Sequence, residues 1–167
     1  EVVATKELLQ NSIDEHKISG STEPLRIVFD RTSKIPGTKE DGPSLTIRDY
    51  GRGMTPEQIY TVFTDVGKSG KMDEAEASGG FGFAKASPML GGKYSQFESV
   101  IEEKGQKVKY SFEGDPAQLK EQEFGVKLNR KVMPDDTPTG FRATVHYDPA
   151  DYDFNIAHGL AKSIGER

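Results

Sequence analysis

An α+β fold is predicted for this chain: a two-layer α/β sandwich in which helices cover one face of a mixed, mostly antiparallel sheet. Three observations carry that prediction. A helical apolar period occupies residues 1–17, short aliphatic and aromatic runs of strand character recur from Leu25 to Tyr147, and Gly, Pro and Asp clusters separate those runs.

The bulk composition sets the scale. A chain of 167 residues suits one domain with its own core. Its 34% hydrophobic and 29% charged content is polar, but the apolar residues come in periodic runs, as a folded chain requires. With 22 basic and 27 acidic residues the net charge is -5, so there is no general attraction to a nucleic-acid backbone, although a local basic patch is compatible with that total. Zero cysteines exclude disulfides and thiolate metal sites, and together with the lack of an apolar leader they read as cytoplasmic. No apolar run reaches the length of a membrane span. The chain opens at Glu1, already inside the helical period, which reads as a piece of a longer protein.

The first helix is expected over residues 1–17, stopped by Gly20, Ser21 and Pro24. Leu25–Phe29 and Ser44–Arg48 read as strands that pair as a hairpin across the Gly- and Pro-rich segment from Thr32 to Pro43. The second strand ends on Asp49, and Gly51 and Gly53 break its pattern. Thr55-Pro56-Glu57 then has the chemistry of a helix start: a capping hydroxyl, a proline at the first helical position and an acid in the first turn. Ile59, Val62 and Phe63 give that helix an apolar side as far as Val66. Residues 67–82 form a long polar loop with almost nothing to bury, closing on a glycine-rich turn before a short helix. Four further strands are expected at Tyr94–Glu102, Gln106–Phe112, Gly125–Asn129 and Gly140–Tyr147, and a short helix near 156–164.

Three glycine-linked or polar motifs stand out in order. Glu7, Asn11 and Asp14 fall within about a 60° stripe at roughly 100° per residue, opposite Val2, Leu9 and Ile13. Alone, this E-x-x-x-N-x-x-D spacing more often marks a solvated helix face than a binding face. Asp49-x-Gly51-x-Gly53 follows a strand, and alone it is equally a tight turn. Gly79-x-x-Gly82 precedes a helix, and alone such a loop is more often a linker than a phosphate cradle. Their joint order is the informative feature.

Together, Glu7-Leu8-Leu9-Gln10-Asn11-Ser12-Ile13-Asp14, Asp49-Tyr50-Gly51-Arg52-Gly53-Met54, Gly67-Lys68-Ser69-Gly70-Lys71 and Gly79-Gly80-Phe81-Gly82-Phe83-Ala84 resemble the motifs of the GHKL ATP-binding family. That family comprises gyrase, the heat-shock chaperones, histidine kinases and MutL, and the wording of the first motif is nearest to the gyrase, chaperone and MutL branch. The resemblance covers most of residues 1–147 and implies a Bergerat-type fold, with ATP and Mg2+ as cofactors and slow hydrolysis as a conformational switch. It also implies a nucleotide lid at about 67–80, dimerisation, and a cationic residue from a following domain that reaches the γ-phosphate. Binding with weak turnover is therefore the expectation for this stretch alone.

The roles that the resemblance implies suit the residue types. A carboxylate at Asp49 accepts the exocyclic amino group of adenine and rejects a guanine carbonyl. Gly51 and Gly53 leave room for the base beside Met54. Asn11 offers Mg2+ a neutral oxygen, and Glu7, one turn earlier, serves as general base toward water. Asp14 lines the pocket through water or remains a surface charge. Gly79, Gly80, Phe81, Gly82, Phe83 and Ala84 present backbone amides to the phosphates, with Lys68 and Lys85 as neutralising or merely solvated cations.

Two residues depart from the family pattern. Ala84 stands where the last glycine of the third motif is usual. Gly140-Phe141 stands where a Gly-Thr pair usually supports the adenine-binding Asp; Thr139, two residues earlier and on the same face, is a substitute for that hydroxyl, the other reading being its loss. A histidine-kinase phosphotransfer domain and a nonenzymatic domain with an eroded pocket are the alternatives. Against the first, Glu7 before Asn11 favours water activation. His16, His146 and His158 have no metal-site spacing and read as surface or partly buried residues.

Overall fold

The computed structural model describes residues 13, 17–60, 92–115, 117–118 and 127–150. Within them six strands form a single sheet: β1 (Arg26–Asp30), β2 (Ser44–Arg48), β3 (Tyr94–Glu103), β4 (Gln106–Gly114), β5 (Asn129–Met133) and β6 (Gly140–His146). Their order across the sheet is β1-β2-β6-β3-β4-β5, and all five pairings are antiparallel. The expected mixed sheet is thus antiparallel throughout among the described residues. Helical turns occur at 17–19 and 56–60, while the expected first and last helices lie largely outside the described residues.

Alternation explains why these segments are strands. Phe97 and Ile101 on β3, Val108, Tyr110 and Phe112 on β4, and Phe141, Ala143 and Val145 on β6 are buried together with Leu45 and Ile47 of β2. Their intervening neighbours Gln96, Glu98, Lys109, Arg142 and Thr144 stay partly or fully exposed on the other face. Phe97 anchors this core, its ring stacked on Phe112 at 5.1 Å and on Phe141 at 6.1 Å between centroids.

β1 and β2 pair as expected, in the register Arg26↔Arg48 to Asp30↔Ser44. Their connection is closed on itself by a Lys34↔Asp41 bridge and by the Lys34–Asp41 ion pair, with Ile35 buried beneath it. β5 is displaced from the expected Gly125–Asn129 and shares only Asn129 with it. The reason is its place at the sheet edge. With one neighbour and exposed side chains, a strand reading Asn-Arg-Lys-Val-Met needs no apolar alternation, so its pattern carries no signal.

His146 also departs from expectation, being buried at 5% exposure. Its Nδ1 lies 2.9 Å from the Gly42 carbonyl oxygen, and its ring meets Tyr94 edge-on. His16 and His158 lie outside the described residues. Among the described residues no group of acidic or histidine side chains is placed to hold a metal ion, and no helix is long and apolar enough to cross a membrane.

Candidate nucleotide site

The end of β2 delivers Asp49 into the interior. Its residue is 1% exposed, and its carboxylate Oδ1 accepts the Gly51 N–H at 3.1 Å and the Phe141 N–H at 3.2 Å. The Asp49 N–H in turn donates to the Phe141 carbonyl oxygen at 3.0 Å. The first of these contacts is an Asx-turn, which an Asp two residues before a glycine forms readily. The other two need β6 beside β2. One of them ties the carboxylate, and the other the backbone, of Asp49 to a residue 92 positions away.

Two glycines make this approach possible. Gly140 has φ of +132°, and a Cβ there would lie 2.2 Å from the Asp49 carbonyl oxygen. Gly53 has φ of +75°, and a Cβ there would lie 2.5 Å from the Val100 carbonyl oxygen. Both positions combine a left-handed backbone with a close backbone neighbour, so only glycine fits. Gly51 is buried, and its carbonyl oxygen accepts the Thr139 hydroxyl at 2.7 Å.

Thr139 therefore ties down the acidic turn through Gly51. The direct support of Asp49 comes from the Phe141 main chain, which every residue but proline possesses, while the Phe141 ring goes into the core. At position 141 the contact to Asp49 is thus made by the backbone and not by a side chain.

Met54 is buried at 2% exposure and belongs to the core cluster. Its backbone is held by one side chain: the Met54 N–H donates to Ser99 Oγ at 2.7 Å, and the Ser99 hydroxyl donates to the Met54 carbonyl oxygen at 2.9 Å. The next helix starts on a reciprocal cap. The Gln58 N–H donates to Thr55 Oγ1 at 3.2 Å and the Thr55 N–H to Gln58 Oε1 at 2.9 Å, completing the start read from Thr55 and Pro56.

Ser99 was missed by sequence reasoning. Its only local signal is a hydroxyl on the buried side of β3, between Phe97 and Ile101. Because both its bonds are buried, Ser99→Ala leaves the Met54 N–H and carbonyl without that partner, and is expected to cost about 1–3 kcal/mol. Urea denaturation of the variant measures this directly, and a change within error of zero would show that the turn does not depend on Ser99.

The structure brings Asp49, Gly51, Gly53, Met54 and Thr139 together around one turn. Glu7, Asn11, Asp14, Lys68, Gly79, Gly80, Phe81, Gly82, Phe83, Ala84 and Lys85 lie outside the described residues. What the turn offers chemically is a rigid, buried hydrogen-bond acceptor at a strand end, with the side-chain bulk around it removed by glycine.

No curated protein matches the chain. Among solved structures, the 43K ATPase domain of Thermus thermophilus gyrase B in complex with an aminocoumarin is 21% identical, with a TM-score of 0.48, over 93% of this chain and 37% of that one. The Aquifex aeolicus MutL ATPase domain complexed with ADP is 19% identical, with a TM-score of 0.39, over 97% of this chain and 46% of that one. The chain thus spans less than half the length of either. The profile described as histidine kinase-, DNA gyrase B-, and HSP90-like ATPase matches residues 3–131, most of the sequence, and the chain belongs to that family.

Proposed function

We propose that this chain binds Mg-ATP, with the adenine amino group on Asp49, and hydrolyses it slowly as the conformational switch of a larger protein. The observation that carries this reading is the Asp49 carboxylate, buried and oriented by the Gly51 and Phe141 amides in a chain of this ATPase family. A carboxylate fixed in this way fits a nucleobase amino donor and opposes a carbonyl, so ATP should be preferred over GTP.

The donor set also fits Mg2+ on its chemistry. Asn11 is the residue that would hold the ion, which supplies neutralisation of phosphate charge when bound. Glu7 would take the proton of the attacking water, and the amides of Gly79–Ala84 with Lys68 would hold the phosphates. Dimerisation and a cationic residue from another domain belong to the same proposal.

Asp49→Asn tests it sharply, because asparagine keeps an oxygen for the two amides and places an amide donor where the carboxylate should accept. Calorimetric titration is expected to show binding weakened by about 100-fold, corresponding to roughly 2–3 kcal/mol. Glu7→Ala should bind Mg-ATP normally and lose turnover. Equal loss of binding in both variants would refute the assignment of roles. Absence of heat and of thermal stabilisation with the unmodified chain would refute nucleotide binding itself.

A further inference from the structure

β1 ends the sheet, and its outer edge has no strand beside it among the described residues. An unpaired edge is a template for another strand, which proteins usually block with central charges or bulges. The two edges of this sheet differ in that respect. β5 carries Lys131 at its centre, flanked by Arg130 and Val132, so pairing of β5 with its own copy about that centre would oppose lysine to lysine. β1 has Val28 at its centre, 52% exposed, with Arg26 two residues before and Asp30 two residues after.

That order is self-complementary. If two copies of β1 run antiparallel about Val28, Val28 meets Val28 of the second copy, Arg26 meets Asp30, and Asp30 meets Arg26. All these side chains project from one face, because they lie two residues apart. On the other face Ile27 meets Phe29 and Phe29 meets Ile27. Both of these are half-buried, and in each copy they already pack against the core. A one-residue shift would break all five matches at once.

The surroundings of Arg26 point the same way. Across the sheet, Arg26 stands opposite Arg48, and Arg48 opposite Arg142. Arg142 is bonded to Glu98 at 2.6 Å, whereas among the described residues no carboxylate pairs with Arg26 or Arg48. Both guanidiniums instead lie over the Tyr50 ring, at 5.8 and 4.7 Å from its centroid. Like charges directly opposite one another are unfavourable. Among the described residues no carboxylate stands at the outer edge beside Arg26, and in the paired arrangement Asp30 of the second copy supplies one. Asp30 is held ready by its own turn, with Oδ1 accepting the Thr32 N–H at 2.8 Å and hydroxyl at 2.9 Å.

We propose that the β1 edge is a homodimer surface, on which two copies of this chain pair antiparallel about Val28 to continue one sheet into the other. The contact is isologous, as a two-fold dimer requires. A five-residue strand buries far less than the roughly 1,200 Å² of a standard stable interface, so the dimer is concentration-dependent. The proposal does not depend on nucleotide binding.

Sedimentation across a range of concentrations tests it, with the charge pair exchanged in two steps. The unmodified chain should pass from monomer to dimer. Arg26→Asp opposes two carboxylates at each end of the contact and should weaken dimerisation about tenfold or more. Arg26→Asp combined with Asp30→Arg restores opposite charges in reversed order and should recover it, which a merely structural effect of either residue would not do.

Because the chain has no cysteine, Val28→Cys adds a single thiol on the two-fold axis. Directly opposed strand residues lie about 4.5–5.5 Å apart at Cα, within disulfide range, so oxidation should give a linked dimer. Val132→Cys, at an equally exposed valine on β5, should not. A chain that stays monomeric at every concentration overturns the proposal. So does a dimer that ignores the charge exchange and the Val28 thiol, since another surface would then be responsible.

Discussion

Gly140→Ala should be the most damaging single-atom addition among the described residues. Its Cβ would stand 2.2 Å from the Asp49 carbonyl oxygen and 2.9 Å from the carbonyl carbon, both in backbone that cannot rotate away. The φ of +132° adds strain for any L side chain. Relief requires β6 to move from β2, which stretches the Asp49 N–H bond to Phe141 and the Phe141 N–H bond to the carboxylate. Strain of this kind is worth about 1–3 kcal/mol and overpacking a similar amount, so a loss of about 3–5 kcal/mol is expected. Thermal and urea denaturation measure it. Nucleotide binding should fall together with stability, because the same movement releases the Asp49 carboxylate. A variant with unchanged stability would show that β2 and β6 are not in close contact at this point.

Phe97→Ala should cost about as much by the opposite route. Phe97 is 1% exposed and lies between Phe112 and Phe141, so truncation empties the middle of a three-ring stack. Removing a buried aromatic ring typically costs about 3–5 kcal/mol, the spread reflecting how far the neighbours collapse. Collapse is restricted here because β3 is hydrogen-bonded on both sides, to β4 and to β6. Phe97→Leu should recover much of the loss by restoring volume. The two substitutions differ in an observable way. Gly140→Ala acts on the Asp49 turn itself, whereas Phe97→Ala leaves that turn's hydrogen bonds intact in the folded fraction, so nucleotide affinity measured well below the melting temperature should change little. Affinity lost in parallel with stability would show that the Phe97 stack also positions the site.

Much of the sheet was legible in the sequence wherever a strand has one buried and one open face. The strands at Ser44–Arg48, Gln106–Gly114 and Gly140–His146 match or nearly match their expected bounds, because Phe141, Ala143 and Val145 alternate with Arg142 and Thr144 and so report their own burial. The helix start at Thr55-Pro56 was equally local. β5 was misplaced because an exposed edge strand imposes no alternation. The burial of His146 leaves no mark in its neighbours, because burial of an imidazole depends on a distant acceptor, here the Gly42 carbonyl oxygen.

At the candidate site the same division holds. That an acidic residue ends β2 and that glycines follow it is readable from adjacent residues, where turn chemistry is written. The sequence also sufficed to indicate the family, through motifs whose spacing is local. The place of β6 between β2 and β3, the support of Asp49 by the Phe141 main chain and the hold of Ser99 on Met54 emerge from the folded sheet alone. Those contacts join residues 92 and 45 positions apart. A backbone amide looks the same at every position in a sequence, and it becomes a specific donor only when the sheet brings it to the carboxylate.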